Sequence, residues 1–589
     1  FAPKTIAFFG GNDAAEAIQQ CRSLSFAGEI WPVNPKRNTL CGLRCYRSVG
    51  ELPSAPDASF IAAPPAASVA IIRELRLLGA GGAVCYASGF AELNEAGAEL
   101  QQQLRDAAGD MAVIGPNCHG FLNYLDGVAL WPDPHGGATT NRGVALVTQS
   151  GNFGINLSMQ QRGLDIGYVI TIGNKSCLGL HEYIDFLIED PRVSAIGLHL
   201  ESIDCIHEFS ISAIKALNAG VPIVAIKTGR SARGAQINLS HTASLVGEDR
   251  LYSALFRRLG IARCDTVMQF LESLKFLSTV GTLPGRKLGS MSCSGGEASL
   301  IADCADDVSL FVPDLTESAV EKLGDILGPK VPLSNPLDYH TYAWGDYDKL
   351  NACFTTMLEN GFDCTMLVLD YPPGNADETA DWEIAELALR DAVTLTGHRA
   401  VIVSTLPETM PSVVRTRLKK SGITPMQGIE ECLFAISVAA MIGNIQEKAG
   451  ELLPVLKPET TNKEVKLLTV SKTNLFKSGY RSAHRWAQRY LKRTHVDCES
   501  LLISGNPVDI ILTGSDLRVA EKSNDAILVF SNIFNGASGD IAPTLSTPSV
   551  KPESLAEFKE LDEMKDASDD GITTMPIMGL SVSSNPASE

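Results

Sequence analysis

Short apolar runs alternate with stretches of helical character throughout residues 1–135, and this alternation restricts the fold more than any other feature. A continuously apolar run flanked by turn residues is typical of a parallel strand that is buried on both faces. The pattern repeats about every 25–30 residues, which is the length of a βα unit. It therefore predicts a doubly wound parallel sheet. The predicted strands are residues 5–9, 29–33, 58–62, 82–86 and 111–114.

The same alternation continues through residues 140–285 and 286–450, which are expected to form two further domains. Predicted strands at 144–148, 167–171, 195–200 and 222–227 indicate a flavodoxin-like sheet in the middle domain. The third domain has predicted strands at 364–369 and 400–404. The expected fold class is α/β, with a Rossmann-like domain over 1–135 and two flavodoxin-like doubly wound domains. Residues 451–589 are expected to form an irregular C-terminal region.

Composition indicates an intracellular enzyme. The 589 residues suffice for three or four domains, and 45% of them are hydrophobic. A net charge of −19 argues against a general nucleic-acid binder. No apolar run approaches the roughly 20 residues that span a bilayer, and no signal peptide is recognised, although Phe1 is not an initiator Met. The 14 cysteines contain no CxxC pair, so free thiols and a cytoplasmic location are expected.

The first strand–helix turn argues against a nicotinamide cofactor. Phe9-Gly-Gly-Asn-Asp13 stands where a dinucleotide-binding fold carries GxGxxG, and that fingerprint is absent. Asp13 would also repel a pyrophosphate. A nicotinamide oxidoreductase is therefore a distant alternative that rests only on the Rossmann-like start.

A single histidine, His241, lies in a loop of hydroxyl and glycine residues, Asn238-Leu-Ser-His-Thr-Ala-Ser-Leu-Val-Gly247. The basic run 227–233 precedes it. An exposed imidazole with an ordinary pKa of about 6.5 is neutral and nucleophilic at cytosolic pH, so it can accept a phosphoryl group. His241 is therefore the candidate catalytic nucleophile. The alternative is a solvated loop histidine without a catalytic role.

Two apolar runs end in short turns that contain glycine and open predicted helices, at residues 148–152 and 294–297. A strand, a tight turn and a helix together aim free N–H groups and the positive helix end at an anion. A capping box between Ser294 and Glu297 is the structural alternative at the second turn. The predicted phosphate-binding residues are Ser150, Gly151, Asn152, Gly295 and Gly296.

Three motifs occur in the order and at the spacing found in NDP-forming acyl-CoA synthetases: Ile114-Gly-Pro-Asn-Cys-His-Gly120, Thr148-Gln-Ser-Gly-Asn152 and Ser240-His-Thr-Ala243. Residues 1–450 thus resemble an α-type subunit of this superfamily, which includes succinyl-CoA synthetase and ADP-forming acetate–CoA ligase. The resemblance implies a CoA-binding domain, a domain with a phosphohistidine, and a ligase domain that supplies a second phosphate-facing helix.

The resemblance also implies that CoA lies across the strand ends of the first domain. Lys36 and Arg37 are candidate contacts to its phosphates, with a solvated charge after a strand as the alternative for each. The implied CoA-binding residues are Asn34, Pro35, Lys36, Pro64, Ser88, Gly89 and Asn117.

Glu201 follows the third predicted strand of the middle domain. A carboxylate there can hold the imidazole N–H of His241, which fixes the tautomer and stabilises the phosphoramidate. The resemblance implies the same residue, because the family carries a glutamate in the matching strand; the alternative is a solvated acid. Cys118 is assigned no nucleophilic role. His119 stands where the related succinate enzyme has a proline and is interpreted as a local substitution.

The resemblance ends near residue 450. Family members that carry both halves in one chain continue into an ATP-grasp module, but residues 451–589 contain no clear glycine-rich loop or paired metal-binding acids. Residues 457–493 hold ten Lys or Arg, and 553–570 hold eight acids. Such segregated charge is typical of solvated helices or disordered tails. Asn506-Pro-Val-Asp509 repeats the pattern of Asn335-Pro-Leu-Asp338, either as a degenerate domain fragment or by chance.

Together these features predict an acid–thiol ligase that forms an acyl-CoA from a carboxylate, CoA and ATP through a phosphohistidine and an acyl phosphate. The expected cofactors are CoA and ATP/ADP, with Mg²⁺ bound to the nucleotide and no metal ligand assigned in this chain. The expected partner is an ATP-grasp β-type subunit or a second copy, with neither nucleic acid nor membrane. The open alternative is a CoA-binding regulatory protein that lost catalysis together with the ATP-grasp module.

Overall fold

The computed structural model describes residues 1–231, 233–234, 236–237, 249–372, 379–452 and 454–455, together with four strands between residues 464 and 530. The chain divides into two compact units, Phe1–Val455 and Leu456–Glu589, each of which is described by itself. His241 and its loop lie outside the described residues, as does the acidic block 553–570.

The first sheet contains the five predicted strands, and three helices connect strands of this sheet. Its strands are β1 (Thr5–Gly10), β2 (Glu29–Val33), β5 (Ala58–Ala62), β6 (Gly82–Cys85) and β7 (Ala112–Ile114), and a short hairpin is formed by β3 (Thr39–Leu40) and β4 (Leu43–Arg44). The five strands are parallel in the order β2-β1-β5-β6-β7. The helices are Asn12–Ser23, Pro65–Leu78 and Glu95–Ala108, with a 3₁₀ turn at Val49–Glu51.

The second sheet has seven strands in the order β14-β13-β12-β10-β11-β8-β9, where β10 to β14 are parallel. They are β8 (Gly120–Asn123), β9 (Val128–Leu130), β10 (Gly143–Thr148), β11 (Ile166–Thr171), β12 (Val193–Leu200), β13 (Ile223–Lys227) and β14 (Ala262–Cys264). The described helices of this domain are Gly151–Ser158, Leu180–Ile188, Ile206–Asn218, Asp249–Arg258 and Val267–Thr279.

The strands β8 and β9 lie within the predicted first domain, yet they belong to the second sheet. β8 pairs antiparallel with β11, and Thr171 Oγ1 accepts the Gly120 N–H at 2.9 Å where that pairing begins. The chain therefore enters the second sheet at Gly120 rather than after residue 135. Sequence periodicity did not indicate this change because pairing partners are long-range contacts.

The third sheet is parallel in the order β16-β15-β17-β18-β19. Its strands are β15 (Leu288–Ser292), β16 (Leu337–Asp338), β17 (Cys364–Val368), β18 (Ala400–Ser404) and β19 (Thr424–Gln427). The described helices are Gly295–Asp307, Glu317–Leu327, Tyr347–Leu358, Ala380–Thr396, Ser412–Lys420 and Ile429–Gln446, with 3₁₀ turns at Thr341–Ala343, Pro407–Thr409 and Ala449–Glu451.

The parallel strands of all three sheets have the same topology, in which the first of them along the chain lies between the second and the third. In such an open sheet the connections from the first and third strands go to opposite faces and leave a crevice beyond their carboxyl ends. In the second sheet this crevice lies between β10 and β12. The topology confirms the doubly wound α/β fold class and places Ser150 and Glu201 at one switch point.

A continuous hydrophobic core joins the three sheets of the first unit. Phe8 of the first sheet, Leu146 of the second and Met366 of the third are fully buried members of one cluster. Trp131, which follows β9, belongs to the same cluster and is also fully buried. Because the domains share this core, the strand ends that carry the predicted sites are held in fixed positions relative to one another.

One helix among the described residues, Ile429–Gln446, is long and apolar enough to cross a membrane by length and composition. Within the fold, however, 56% of it is buried. It packs against the helix Val267–Thr279, and core helices of this kind pass the same test.

The described part of the second unit is a four-stranded antiparallel sheet in the order β21-β22-β20-β23. Its strands are β20 (Glu464–Val470), β21 (Ser500–Ser504), β22 (Val508–Gly514) and β23 (Ile527–Phe530). This region thus holds more regular structure than its charge pattern led us to expect. The strands are rich in Val, Ile and Leu, which favour a pleated surface. Charged residues in and around them made the apolar pattern difficult to recognise in the sequence.

Candidate active site

The predicted phosphate turn of the second sheet caps a helix. Ser150 precedes the helix Gly151–Ser158, and its Oγ accepts a hydrogen bond from the first turn at 3.4 Å. The Ser150 N–H donates to Thr148 Oγ1 at 3.1 Å, which fixes the turn against the end of β10. The first N–H groups of a helix, here those of Gly151 and Asn152, have no partner within the helix. With no acidic residue in this first turn, the helix start is suited to bind an anion.

Gln149 ties this turn to Glu201. Its Oε1 accepts the backbone N–H of Glu201 and that of Ser202, the latter at 3.0 Å. Its Nε2 donates to the Ser202 carbonyl at 2.7 Å. The Gln149 side chain is buried, so these bonds are shielded from water. One side chain therefore holds the Glu201 backbone beside the phosphate turn, and sequence reasoning assigned it no role although it lies inside the Thr-Gln-Ser-Gly motif.

Replacing Gln149 with leucine is expected to lower the free energy of unfolding by about 1–3 kcal/mol, because two buried N–H groups lose their acceptor. Amide hydrogen exchange at residues 201 and 202 should quicken at the same time. The comparison is Gln149→Glu, which keeps the acceptor oxygen for both N–H groups but replaces the donor to the Ser202 carbonyl with a second oxygen. Unchanged exchange in the leucine variant would show that this side chain does not order the loop.

A buried cation lies on the next strand. Lys227 ends β13 and is paired in register with Leu200, the residue before Glu201. Its ammonium group lies 4.7 Å from the ring centroid of Tyr252. Burial lowers the pKa of Lys227 to about 8, while Asp249 and Glu201 act in the opposite direction. The segment that leads to His241 leaves the sheet from this strand, so it starts beside the end of β12, where Glu201 follows.

A second lysine, Lys175, holds the loop that follows Glu201 in place. The Lys175 Nζ lies 2.6 Å from an Asp204 carboxylate oxygen and donates to Ser202 Oγ at 3.0 Å. Only 7% of its side chain is exposed. Loops 175–182 and 203–205 enclose a cavity of about 270 Å³ here. The sequence indicated no role for Lys175, because the contact is made across two loops.

Two stacked aromatic rings lie next to the phosphate turn. The rings of Phe153 and His199 stack with centroids 4.2 Å apart. His199 Nδ1 and Thr148 Oγ1 are 2.9 Å apart. Burial lowers the pKa of His199 to about 4, so this imidazole is neutral at pH 7 and packs as a neutral aromatic ring.

The loop after β2 is built by Asn34. Its Nδ2 donates to the Gly10 carbonyl at 2.7 Å, and its Oδ1 accepts the N–H groups of Lys36 and Arg37 at 2.9 and 3.0 Å. The Pro35 carbonyl accepts from Arg47 at 2.8 Å. The loop thus gathers basic side chains at the carboxyl edge of the first sheet, as a ligand with several phosphates requires.

The loop after β6 uses its amides internally. The N–H groups of Gly89 and Phe90 donate to Glu92 Oε1 at 2.6 and 3.2 Å. Asn174 donates to the other carboxylate oxygen. These hydrogen bonds lower the pKa of Glu92 against the opposing effect of burial. The Gly89 amide is therefore bound to a carboxylate, which leaves the Ser88 region to contact a ligand through other groups.

The remaining predicted residues of the first domain lie on the same edge. Pro64 precedes the helix Pro65–Leu78, after β5. Asn117 follows β7 in a left-handed conformation with φ 57°. Its N–H donates to the Ala87 carbonyl at 2.8 Å, which ties it to the loop of Ser88. The structure therefore brings the predicted CoA residues together at one edge of the sheet, after strands β2, β5, β6 and β7.

Two family models match this chain. A CoA binding domain matches residues 4–124, and a succinyl-CoA ligase like flavodoxin domain matches residues 141–277. The first two domains of this chain are thus similar to a CoA binding domain and to the flavodoxin domain of succinyl-CoA ligase.

Curated relatives agree with this assignment. A trans-feruloyl-CoA synthase from an unknown prokaryotic organism is 30% identical over 374 residues, which are 61% of this chain and 52% of the relative. The ADP-forming acetate–CoA ligase of Methanocaldococcus jannaschii is 30% identical over 57% of this chain and 48% of its own length. The α subunit of an acetate–CoA ligase from Pyrococcus furiosus is 28% identical over 59% of this chain and 76% of its own. The chain spans about half the length of the first two.

A solved structure supports the fold. The dinucleotide forming acetyl-coenzyme A synthetase 1 of Ca. Korarchaeum cryptofilum aligns with a TM-score of 0.68 and 24% identity, covering 77% of this chain and 99% of that one. The likeness in fold thus extends beyond the two domains that the family models match.

The second phosphate-facing helix of the superfamily is predicted at Gly295–Asp307, after β15. Ser294 makes no side-chain hydrogen bond to this helix, so the capping box considered for it does not form. A Cβ built on Gly295 would lie 3.3 Å from an Asp338 carboxylate oxygen. A carboxylate therefore already lies beside this helix start.

Further negative charge surrounds the same helix. The pKa of Glu297 is raised, first by burial and then by Asp370 and Asp338. Three carboxylates thus face the start of the helix at Gly295 and Gly296, whereas none lies in the first turn of Gly151–Ser158. An anion bound at the third domain would meet repulsion that is absent at the second. The role of Gly295 and Gly296 stays a prediction.

Proposed function

We propose that this chain is the acid–thiol ligase component of an ADP-forming acyl-CoA synthetase. The reaction joins a carboxylate to CoA and converts ATP to ADP and phosphate, through a phosphohistidine at His241 and an acyl phosphate. The observation that carries the proposal is the switch point of the second sheet. There the helix start at Gly151 and Glu201 follow the adjacent strands β10 and β12, and the His241 segment departs from β13, which pairs with β12.

Each residue at this crevice has a defined part in the proposed reaction. The N–H groups of Gly151 and Asn152, together with the Ser150 hydroxyl, neutralise the charge of the phosphoryl group as it moves. Glu201 accepts the imidazole N–H of His241 and stabilises the charged phosphoramidate. Phosphorylation of the carboxylate comes before the thiol attack, because a thiol does not attack an unactivated carboxylate readily.

The first domain supplies the CoA site in this proposal. Lys36, Arg37 and Arg47 lie at one carboxyl edge and carry the charge needed to hold the CoA phosphates. The Arg37 guanidinium donates to Asn12 Oδ1 at 3.0 Å, which directs it toward the start of the first helix. These three basic side chains favour a polyanionic ligand, whereas Asp13 in the first turn of the first helix would repel one.

The carboxylate substrate stays open within its class, since the relatives are named for acetate, 4-hydroxybutyrate and trans-ferulate. We infer that an ATP-grasp subunit, or a second copy of this chain, completes the enzyme, because some relatives are named as α subunits. ATP and Mg²⁺ then enter with that subunit. Among the described residues no group of three or more His, Cys, Asp or Glu is arranged to hold a metal ion. A cytoplasmic location is part of the proposal.

The test is reversal of the reaction by this chain alone. The purified protein is incubated with [³²P]phosphate and acetyl-, butyryl- or benzoyl-CoA, and the protein-bound label is measured. A label that is stable in base and lost in acid is the expected result for a phosphohistidine. Binding of CoA without any label would favour the regulatory alternative instead.

Glu201→Gln is expected to reduce the amount or the rate of formation of this phosphoenzyme by about ten- to a hundredfold, since a charge-assisted hydrogen bond is worth about 1.5–3 kcal/mol. CoA binding should be unchanged. The control is Glu189→Gln, which alters an exposed carboxylate at the end of the helix Leu180–Ile188. Equal labelling in all three proteins would make Glu201 a solvated strand-end acid.

A further inference from the structure

His119 lies where the first two sheets meet. Its backbone N–H donates to Thr171 Oγ1 at 2.9 Å, at the end of β11. Its ring contacts Tyr86, which follows β6, edge-to-face at 5.9 Å between centroids, and Trp131 at 5.5 Å. The side chain is 24% exposed. The imidazole is thus held on three sides and remains open on part of its surface.

Asp133 determines which ring nitrogen carries the proton. The His119 Nε2 lies 3.1 Å from an Asp133 carboxylate oxygen. A carboxylate only accepts hydrogen bonds, so Nε2 carries the hydrogen and Nδ1 is left as the acceptor.

The free nitrogen, Nδ1, faces the phosphate turn. A Cβ built on Gly151 would lie 2.1 Å from it, so only glycine at that position lets the ring rest on the helix start. On its other side the ring touches Tyr86, two residues before Ser88 in the predicted CoA edge. His119 therefore lies between the CoA edge and the phosphate turn, which explains a histidine at a place first interpreted as a local substitution.

The charge state of the ring suits a proton acceptor. Burial lowers the pKa of His119, and Asp133 opposes this shift. The other titratable group against the ring is the phenol of Tyr86, whose pKa is raised by burial, so it is neutral at pH 7. A neutral imidazole with one free lone pair is therefore present at physiological pH.

We propose that His119, positioned by Asp133, removes the proton from the CoA thiol as the sulfur attacks the acyl phosphate. This inference rests on the proposed function. The S–H bond breaks and its proton goes to His119 Nδ1, while a bond forms between sulfur and the acyl carbon. The bond from that carbon to the phosphate oxygen breaks, and the departing phosphate takes the proton from the imidazole.

A base is needed because the CoA thiol is mostly protonated at pH 7. An alkyl thiol with a pKa of about 8.5 is only a few per cent thiolate at pH 7. Without a base the reaction depends on the thiolate fraction. Loss of the base should therefore slow thioester formation roughly 10- to 30-fold at pH 7. The deficit should shrink as the pH rises past the pKa of the thiol. His119→Gln preserves a donor toward Asp133 and removes the accepting nitrogen.

Two reactions of the chain alone separate this role from a structural one. Acetyl, butyryl or benzoyl [³²P]phosphate labels His241 without any thiol, and the same acyl phosphate with CoA yields a thioester. His119→Gln should label at the parent rate but form thioester about 10- to 30-fold more slowly at pH 7, approaching the parent near pH 9.5. Asp133→Asn should show a smaller loss in the thioester reaction alone. His135→Gln is the control, because that histidine contacts Tyr124 at 3.1 Å, in the same loop region.

Three results overturn the inference. Equal thioester formation in the parent and His119→Gln removes the need for this base. Parallel loss of labelling and thioester formation, without recovery at high pH, makes His119 a structural residue. If the parent neither labels nor forms thioester with any of the three acyl phosphates, the proposed function fails and the inference falls with it.

Discussion

His241→Ala is expected to abolish the phosphoenzyme completely. The imidazole is the only group in this proposal that takes the phosphoryl from acyl phosphate, so no other residue replaces it. The label to be measured is the base-stable, acid-labile one formed from [³²P]phosphate and an acyl-CoA. CoA binding, measured by calorimetry, should persist because the predicted CoA residues belong to the first domain.

The control for this loss is His398→Ala, an exposed histidine that follows the helix Ala380–Thr396. It should label as the parent does, and both variants should unfold at the parent temperature. If His241→Ala labels as strongly as the parent, the phosphohistidine assignment is wrong.

The second large effect concerns stability. Glu272 and Lys275 form an ion pair whose side chains are 0% and 1% exposed. The Glu272 carboxylate also accepts from Arg162 at 3.0 Å and from the Gln427 N–H at 3.0 Å, at the end of β19. This pair joins the second sheet's helix Val267–Thr279 to the third sheet.

Glu272→Leu is expected to destabilise the first unit by about 3–5 kcal/mol, because it leaves the Lys275 ammonium buried without its partner. Thermal unfolding should show the change as a Tm several degrees lower. The double variant Glu272→Leu with Lys275→Met should recover much of the loss, since apolar side chains of similar volume replace the pair.

An exposed pair provides the comparison. Lys322 and Glu359 are 3.5 Å apart with side chains 57% and 51% exposed. Glu359→Gln should change stability by less than about 1 kcal/mol, because such pairs are screened by water. Equal Tm values for Glu272→Leu and Glu359→Gln would contradict the importance of the buried pair.

Strand positions followed closely from the sequence, because a strand buried on both faces must be apolar along its whole length. The residues of β2, β5 and β18 were predicted with the observed bounds. The helix after the phosphate turn was less well placed, since it begins at Gly151, inside the turn predicted at residues 148–152. Its first turn contains small and polar residues whose burial is decided by contacts with other strands.

Site residues divide in the same way. Ser150 and Glu201 were predicted because strand-end turns and motifs are local in sequence. Gln149, Lys175 and His119 were given no catalytic or binding role, since their importance depends on contacts with residues 14 or more positions away in the chain. Likewise, only the tertiary structure shows that the Ser294 side chain makes no capping bond.

The sequence by itself determined the α/β class, the repeating βα units and the residues that carry the predicted chemistry, because periodicity and turn composition are local properties. Tertiary structure alone decided that β8 joins the second sheet and that Asp338 and Asp370 surround the start of the helix Gly295–Asp307. It also placed the His119 ring on Gly151. These facts depend on the order of strands within a sheet and on the packing of loops from different domains, which no short stretch of sequence encodes.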